Sequence, residues 1–271
     1  MNLRRSIKKI FSCNKKHTTV AEIKLLNPTN RFKGRKIVVT GGSTGIGLAI
    51  AKKLISEGAE ILIASRNEER LQNVSAKIGC KYLRLDVNNV DQISVFIKRA
   101  QELLNGLDSI VLNSGISLHE GNIKQVTQEQ FDLQFNINVR GNYFLAQQFI
   151  LQSIPKSLRN ILFITSERGT FVDDLPYGLT KAALNSLTQG LAYRFAKENI
   201  RVNAVAPGVT VSDMTGFSED NLYCSYNINK RVYLPEEMAE VAAFLLSEES
   251  GCISGQIITC NEGKSINSHL R

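Results

Sequence analysis

A chain of 271 residues, 43% hydrophobic and 21% charged, is long enough for one large α/β domain and has the composition of a soluble globular protein. Its net charge of +8 is unevenly placed: residues 1–36 hold 11 of the 33 Lys and Arg against Glu22 alone, leaving 22 basic and 24 acidic residues beyond. A near-neutral body of this kind is no electrostatic magnet for nucleic acid, and no run of 18 apolar residues is present that could span a membrane.

The first element is a basic extension over residues 1–33, with Asn27-Pro28-Thr29-Asn30 as its closing linker. In residues 2–12, Leu3, Ile7, Ile10 and Phe11 fall at helical spacing with Arg4, Arg5, Lys8 and Lys9 between them. That is the pattern of a basic amphipathic helix making weak contact with a membrane surface. A solvated tail and an organelle-targeting presequence stand beside it as open readings. The continuous apolar core of a secretory signal is missing. Cysteines 13, 80, 224, 252 and 260 form no Cys-x-x-Cys pair and the three histidines lie far apart. Reduced thiols in a cytoplasmic compartment are expected, and no metal site.

From Gly34 to Gly263 short apolar strands alternate with amphipathic helical stretches, which predicts a single α/β domain with a doubly wound parallel sheet, a Rossmann fold. Residues 264–271 read as a tail. Strands are expected at 36–40, 60–65, 82–85, 109–112, 160–165, 201–205 and 256–259, and helices near 45–57, 67–77, 89–104, 127–153, 177–198 and 235–247.

After the first strand comes Thr40-Gly41-Gly42-Ser43-Thr44-Gly45-Ile46-Gly47, opening the first helix. Gly41 permits a tight turn, Gly45 lets the backbone approach a pyrophosphate, and Gly47 lets the helix pack on the sheet; the helix N-terminus then supplies N–H groups for the anion. At the end of the second strand, an NAD-selective fold would place an acid for the ribose 2′-hydroxyl. Ser65 stands there and Arg66 follows, and a guanidinium suits a 2′-phosphate, so NADP is favoured with NAD as the alternative. Tyr177 and Lys181, four apart, share a helical face. An ammonium about 4 Å from the phenol, at an effective dielectric of about 20, favours phenolate by roughly 4 kcal/mol. That is enough to bring a tyrosine from about 10 towards 7.

The turn Thr-Gly-x-x-x-Gly-x-Gly, the Tyr-x-x-x-Lys pair and the strand-end motifs between them resemble the short-chain dehydrogenase/reductase family, classical type, from about Gly34 to Gly263. The resemblance implies that Asp86 and Val87, after the third strand, bind the adenine end. Asn113-Ser114-Gly115 is similar to the family's Asn-Asn-Ala-Gly turn, with Leu112 in place of its first Asn. Asn138 matches the helix Asn of a proton relay, and Ser166, in Ser166-Glu167-Arg168-Gly169, the catalytic serine. Pro207-Gly208 matches the turn that borders the nicotinamide, with Thr210 beyond it and Ser212 in place of the family's usual Thr.

The cofactor-binding positions implied are therefore Gly41, Ser43, Thr44, Gly45, Ile46, Gly47, Ser65, Arg66, Asp86, Val87, Asn113, Gly115, Tyr177, Lys181, Pro207, Gly208, Thr210 and Ser212. The catalytic set is Ser166, Tyr177, Lys181 and Asn138. Hydride would pass between nicotinamide and a small carbonyl or secondary-alcohol substrate. Tyr177 would act as acid or base, Lys181 would hold the ribose and lower the Tyr177 pKa, and Ser166 would bond the reacting oxygen. Asn138 would position a water. A homodimer or homotetramer paired through the helices at 127–153 and 177–198 is implied as well. Ser166 and Tyr177 are 11 residues apart, a shorter loop than the family's usual, and Asn261-Glu262-Gly263 replaces its Asp-Gly-Gly.

Two other readings share these features. A binding or redox-sensing module could keep the fold without the chemistry, although such a module need not retain all four catalytic residues. A sugar-nucleotide epimerase relative shares Tyr-x-x-x-Lys but has different glycine spacing and a sizeable C-terminal substrate domain. The segment 209–234, with Lys230 and Arg231, does not identify the substrate; an isolated basic pair is ordinarily a solvated face.

Overall fold

Seven strands run parallel in one sheet: β1 (Lys36–Thr40), β2 (Glu60–Ser65), β3 (Lys81–Arg84), β4 (Ser109–Leu112), β5 (Arg159–Ile164), β6 (Ile200–Pro207) and β7 (Ile257–Cys260). Their order is β3-β2-β1-β4-β5-β6-β7 in a computed structural model that describes residues 17–21, 28–152 and 159–266. The chain winds outward in one direction from β1 and in the other from β4. The crevice where these two neighbours diverge is where such sheets bind ligands, at the carboxyl ends of the strands.

The inner strands are mainly apolar because helices cover both faces, while the edge strand β3 exposes Lys81 and Arg84 at its ends. Side chains alternate along β1, so Ile37 and Val39 enter one core and Val38 the other. The first core packs under α1 (Gly45–Ser56), α2 (Glu68–Ile78) and, late in the chain, a helix at Pro235–Leu246. The second lies under α3 (Ile93–Leu104) and two long helices from the middle of the chain. Each fully buried Val, Ile or Leu contributes roughly 1.5–3 kcal/mol.

Local signals mark several helix ends. Asn67 caps α2 by accepting from Arg70 N at 2.8 Å, and Gly79 ends it at φ +69°. Thr127 and Gln130 form a reciprocal capping box at the start of α4 (Gln128–Gln134).

The helix expected over 127–153 is not continuous. A π turn at Phe135–Gly141 separates α4 from α5 (Asn142–Gln152). Two contacts hold it: Asn142 Nδ2 donates to Asn138 O at 2.8 Å, and Gly141 packs so close that a Cβ there would stand 2.5 Å from Val87 O. The remaining helices are α6 (Pro176–Phe195) and α7 (Pro235–Leu246), each with proline in its first turn, where no N–H is required.

The body extends further than the boundaries expected at 34 and 263. Phe32 is buried in the core, and Thr29 and Arg31 both bond the buried Glu57 carboxylate. Residues 17–21 lie along the segment before α7: Leu222 N donates to Thr19 O at 3.1 Å and the His17 and Tyr223 rings stack at 5.0 Å. Lys264 is bonded back to Glu167 at 3.0 Å. The amphipathic stretch at 2–12 lies outside the described residues, as does 267–271. Among the described residues no helix is long and apolar enough to cross a membrane.

Candidate active site

The turn between β1 and α1 is built by close approach. Gly41 sits at φ +63°, and its N donates to Ala64 O at 2.7 Å. A Cβ on Gly47 would stand 2.3 Å from Gly41 O, so only glycine lets the helix meet the turn this tightly. Thr44 precedes the helix without a side-chain cap, and its first turn holds no acid. The leading N–H groups of α1 are therefore left as donors beside a partial positive charge, a ready anion site.

The end of β4 locks this turn from below. Thr40 Oγ1 accepts from Asn113 N at 3.1 Å and Ser114 N at 3.2 Å, while Asn113 Nδ2 donates to the carbonyls of Thr40 and Gly41. Leu112 is fully buried, and it is Asn113 whose amide makes these contacts.

At the other end of the turn, Ser43 and Ser65 hydroxyls bond each other at 3.1 Å. Arg66 is exposed at the tip of β2. Arg84, which the sequence reading passed over, donates from Nε to Arg66 O at 3.2 Å and brings a second guanidinium to the same edge. Asp86 accepts from Asn88 N at 3.0 Å and turns the chain after β3. Val87 is buried against Gly141.

Ser166 follows β5 in extended conformation, and its Oγ accepts from Arg168 N at 3.2 Å. The short loop to α6 is closed by a bidentate pair in which Arg168 Nη2 donates to Asp173 Oδ1 at 2.7 Å and Nε to Oδ2. Against its burial, these bonds hold the Asp173 carboxyl below the usual range. Tyr177 and Lys181 stand one turn apart on α6, with Lys181 Nζ 5.5 Å from the Tyr177 ring centroid and donating to Ile164 O at 3.1 Å.

Burial pushes the Tyr177 phenol above the ordinary tyrosine value, against a hydrogen bond with Ser166 and the charge of Arg168. Burial pushes the Lys181 ammonium down to about 8. The direction is opposite to the lowering expected from the Tyr–Lys pair: desolvation of the phenol outweighs the hydrogen bond with Ser166 and the charge of Arg168.

Asn138 is buried inside the π turn, where side chains are commonly re-aimed at functional sites. Its Oδ1 accepts from Ile116 N at 2.8 Å, and its Nδ2 donates to Ile116 O at 2.9 Å and Thr180 Oγ1 at 3.1 Å. A Cβ placed on Gly115 would stand 3.3 Å from Asn138 Oδ1 and 3.4 Å from Lys181 Nζ, so both polar atoms face the same glycine. An amide oxygen accepts two hydrogen bonds and an ammonium donates three, leaving each with capacity to spare.

After β6, Gly208 N donates to Cys260 O at 2.9 Å and Thr210 Oγ1 to Gly208 O at 3.0 Å. Ser212 reaches the phosphate turn; its Cβ would lie 3.5 Å from a Cβ on Gly45. The next residues bridge the cleft on both sides, Asp213 to Arg70 at 3.6 Å and Met214 O to His119 Nε2 at 2.9 Å. Arg231 pairs with Glu237 at 2.7 Å and is not free to meet a substrate.

One cavity of about 290 Å³ collects these parts. Gly41, Thr44, Gly45 and Ile46 line it from the turn, Asn113 and Gly115 from β4, and Ser166, Tyr177 and Lys181 from β5 and α6. Pro207, Gly208, Thr210 and Ser212 close it. Ser43, Gly47, Ser65, Arg66, Asp86, Val87 and Asn138 lie outside that lining. Asn142, which the sequence reading missed, braces the site from outside that lining: its Nδ2 donates to Ser114 O at 3.0 Å and to Asn138 O at 2.8 Å.

Similarity to known proteins follows the same span. The family profile described as enoyl-(acyl carrier protein) reductase matches residues 41–265. An uncharacterized oxidoreductase of Staphylococcus aureus strain USA300 is 33% identical over 217 residues, covering 78% of this chain and 90% of that one. A solved short-chain dehydrogenase from Burkholderia cenocepacia, in complex with NADP, superposes with a TM-score of 0.78 at 31% identity, covering 86% of this chain and 99% of that one. The 3-ketoacyl-(acyl-carrier-protein) reductase from Brucella melitensis, complexed with NADH, gives 0.78 at 25% identity over 87% and 100%.

Proposed function

The chain belongs to the short-chain dehydrogenase/reductase family of NAD(P)-dependent oxidoreductases, and on that premise we propose that it reduces a small carbonyl compound with NADPH through Ser166, Tyr177, Lys181 and Asn138. One observation carries the reading: Ser166, Tyr177 and Lys181 share a single cavity with the uncapped, acid-free helix start of α1.

The residues fit the dinucleotide. Gly41 and Gly47 leave a cradle that a Cβ would fill, and the N-terminus of α1 would take the pyrophosphate. Arg66 and Arg84 would meet a 2′-phosphate, which supports NADP, the ligand named for the Burkholderia structure. The NADH named for the Brucella protein keeps NAD as the alternative. Lys181 and the Pro207–Gly208 turn would hold the nicotinamide ribose. When bound, the cofactor supplies the hydride.

The protein's own part is the proton. Burial keeps Tyr177 as a neutral phenol, which suits it to give its proton to the carbonyl oxygen as that oxygen gains charge. Ser166, hydrogen-bonded to Tyr177, would donate to the same oxygen. A water held between Asn138 Oδ1 and Lys181 Nζ, beside Gly115, would return a proton towards Tyr177. The reverse step oxidises a secondary alcohol.

The names of the relatives point to enoyl and 3-ketoacyl substrates, and those two chemistries differ, so the substrate class proposed is a carbonyl or secondary alcohol. A second copy of the chain would pair along α5 and α6. A groove of about 930 Å³ there is lined by Tyr143, Leu151, Leu187 and Leu191 together with Arg194 and Lys197. The test of the activity is a screen of carbonyls and alcohols with each cofactor, read at the reduced nicotinamide absorbance. Turnover of a carbonyl with NADPH supports the reading; no turnover across the screen, with cofactor bound, opposes it.

A further inference from the structure

Directly after Ser166 the chain buries a carboxylate. Glu167 is 5% exposed, a costly position for a charge unless it is well paired. Its partners come from the far end of the chain. Asn261 Nδ2 donates to Oε2 at 2.9 Å and Lys264 Nζ to Oε1 at 3.0 Å. Lys264 Nζ also donates to Asn227 Oδ1 at 3.2 Å, and Asn227 Nδ2 to Arg231 O at 2.6 Å. Asn261 itself sits behind the Pro207–Gly208 turn, its Cβ 3.1 Å from where a Cβ on Gly208 would be. A single carboxylate therefore ties together the ends of β5, β6 and β7 and the segment before α7. Glu167 does not line the cavity.

We propose that Glu167 is a positioning residue: clasped between Asn261 and Lys264, its carboxylate anchors the turn that presents Ser166 and places a negative charge directly after it in the chain. The charge of Glu167 opposes ionisation of Tyr177. The other groups facing this region are Lys181 and Arg168, the latter neutralised by Asp173 with Asp174 nearby. Beyond Glu167 lie Lys264, Tyr226, and the Tyr233–Glu262–Arg231 cluster. Lys264 is thus the cation that balances Glu167, and the two should act on Tyr177 with opposite sign.

The inference rests on Tyr177 as the proton donor, and its test needs no turnover. Carbon NMR of protein labelled at tyrosine Cζ, with the Tyr177 signal assigned by its loss in Tyr177→Phe, gives the phenol titration directly. Glu167→Gln, nearly isosteric, should lower that titration by about one pH unit or less, and Lys264→Met should raise it by a similar amount. NADPH affinity should change less than about twofold in either variant. If Glu167→Gln fails to fold, the part-exposed Lys264→Met still decides. Variants that leave the Tyr177 titration where it was, or that move it the same way, overturn the proposal. An inactive wild-type protein with the opposite shifts intact would instead count against the reductase reading alone.

Discussion

Lys181 Nζ stands 5.5 Å from the Tyr177 ring centroid and donates to the carbonyl of Ile164 at 3.1 Å, the last residue of β5. Its ammonium is pushed down to about 8 by burial. The charged form, which would hold the ribose, is present below that value and lost above it. Tyr177 is pushed up, so its proton stays on through the same range. The carbonyl-reduction profile of kcat/KM should therefore be level near neutrality and fall about tenfold per pH unit above about 8. A profile level to about pH 10 would remove Lys181 from this role.

Arg66→Ala should weaken NADP more than NAD, because only NADP carries the phosphate its guanidinium would grip. A charge-assisted hydrogen bond is worth ~1.5–3 kcal/mol, so the preference should drop about tenfold or more. Arg84→Ala should act in the same direction, since its side chain crosses to Arg66. Binding titrations with both cofactors measure this, and equal losses for both would oppose the assignment.

Gly47→Ala tests the packing of the turn. Its Cβ would stand 2.3 Å from Gly41 O, a backbone atom that cannot swing aside. Overpacking of this kind costs roughly 1–3 kcal/mol, a melting temperature lower by several degrees for a domain this size. Thermal unfolding with and without cofactor reads it. Unchanged stability would mean that α1 and the turn meet less tightly than the structure has them.

Much of this was legible because apolar runs in a parallel sheet are bounded by glycine and polar residues; β1, β2 and β4 fall at the expected residues. The π turn at 135–141 was hidden because one inserted residue barely disturbs the apolar spacing on either side. Arg84 went unread because an exposed arginine has no local signature; its meaning comes from lying across a parallel strand from Arg66. The clasp between Glu167 and Lys264 joins residues nearly a hundred positions apart, and nothing local marks either partner. The direction of the Tyr177 shift failed for a different reason: a helical spacing gives the neighbour of a phenol but not how much water surrounds it.

Self-association should be visible by light scattering as a mass well above 30.1 kDa at micromolar concentration. Leu151, 68% exposed on the groove along α5 and α6, is the residue to disturb. Leu151→Glu places a charge in a face that pairing would desolvate and should shift the mass towards a single copy. A wild-type protein found only at 30 kDa would contradict the pairing.

The central claim is that Tyr177 gives the proton, and Tyr177→Phe tests it most directly because the ring stays while the hydroxyl goes. The measurement is single-turnover carbonyl reduction with NADPH, alongside NADPH binding in the same protein. The account predicts a rate lower by roughly 10²–10⁴ with cofactor affinity nearly unchanged. Reduction at close to the wild-type rate would contradict it.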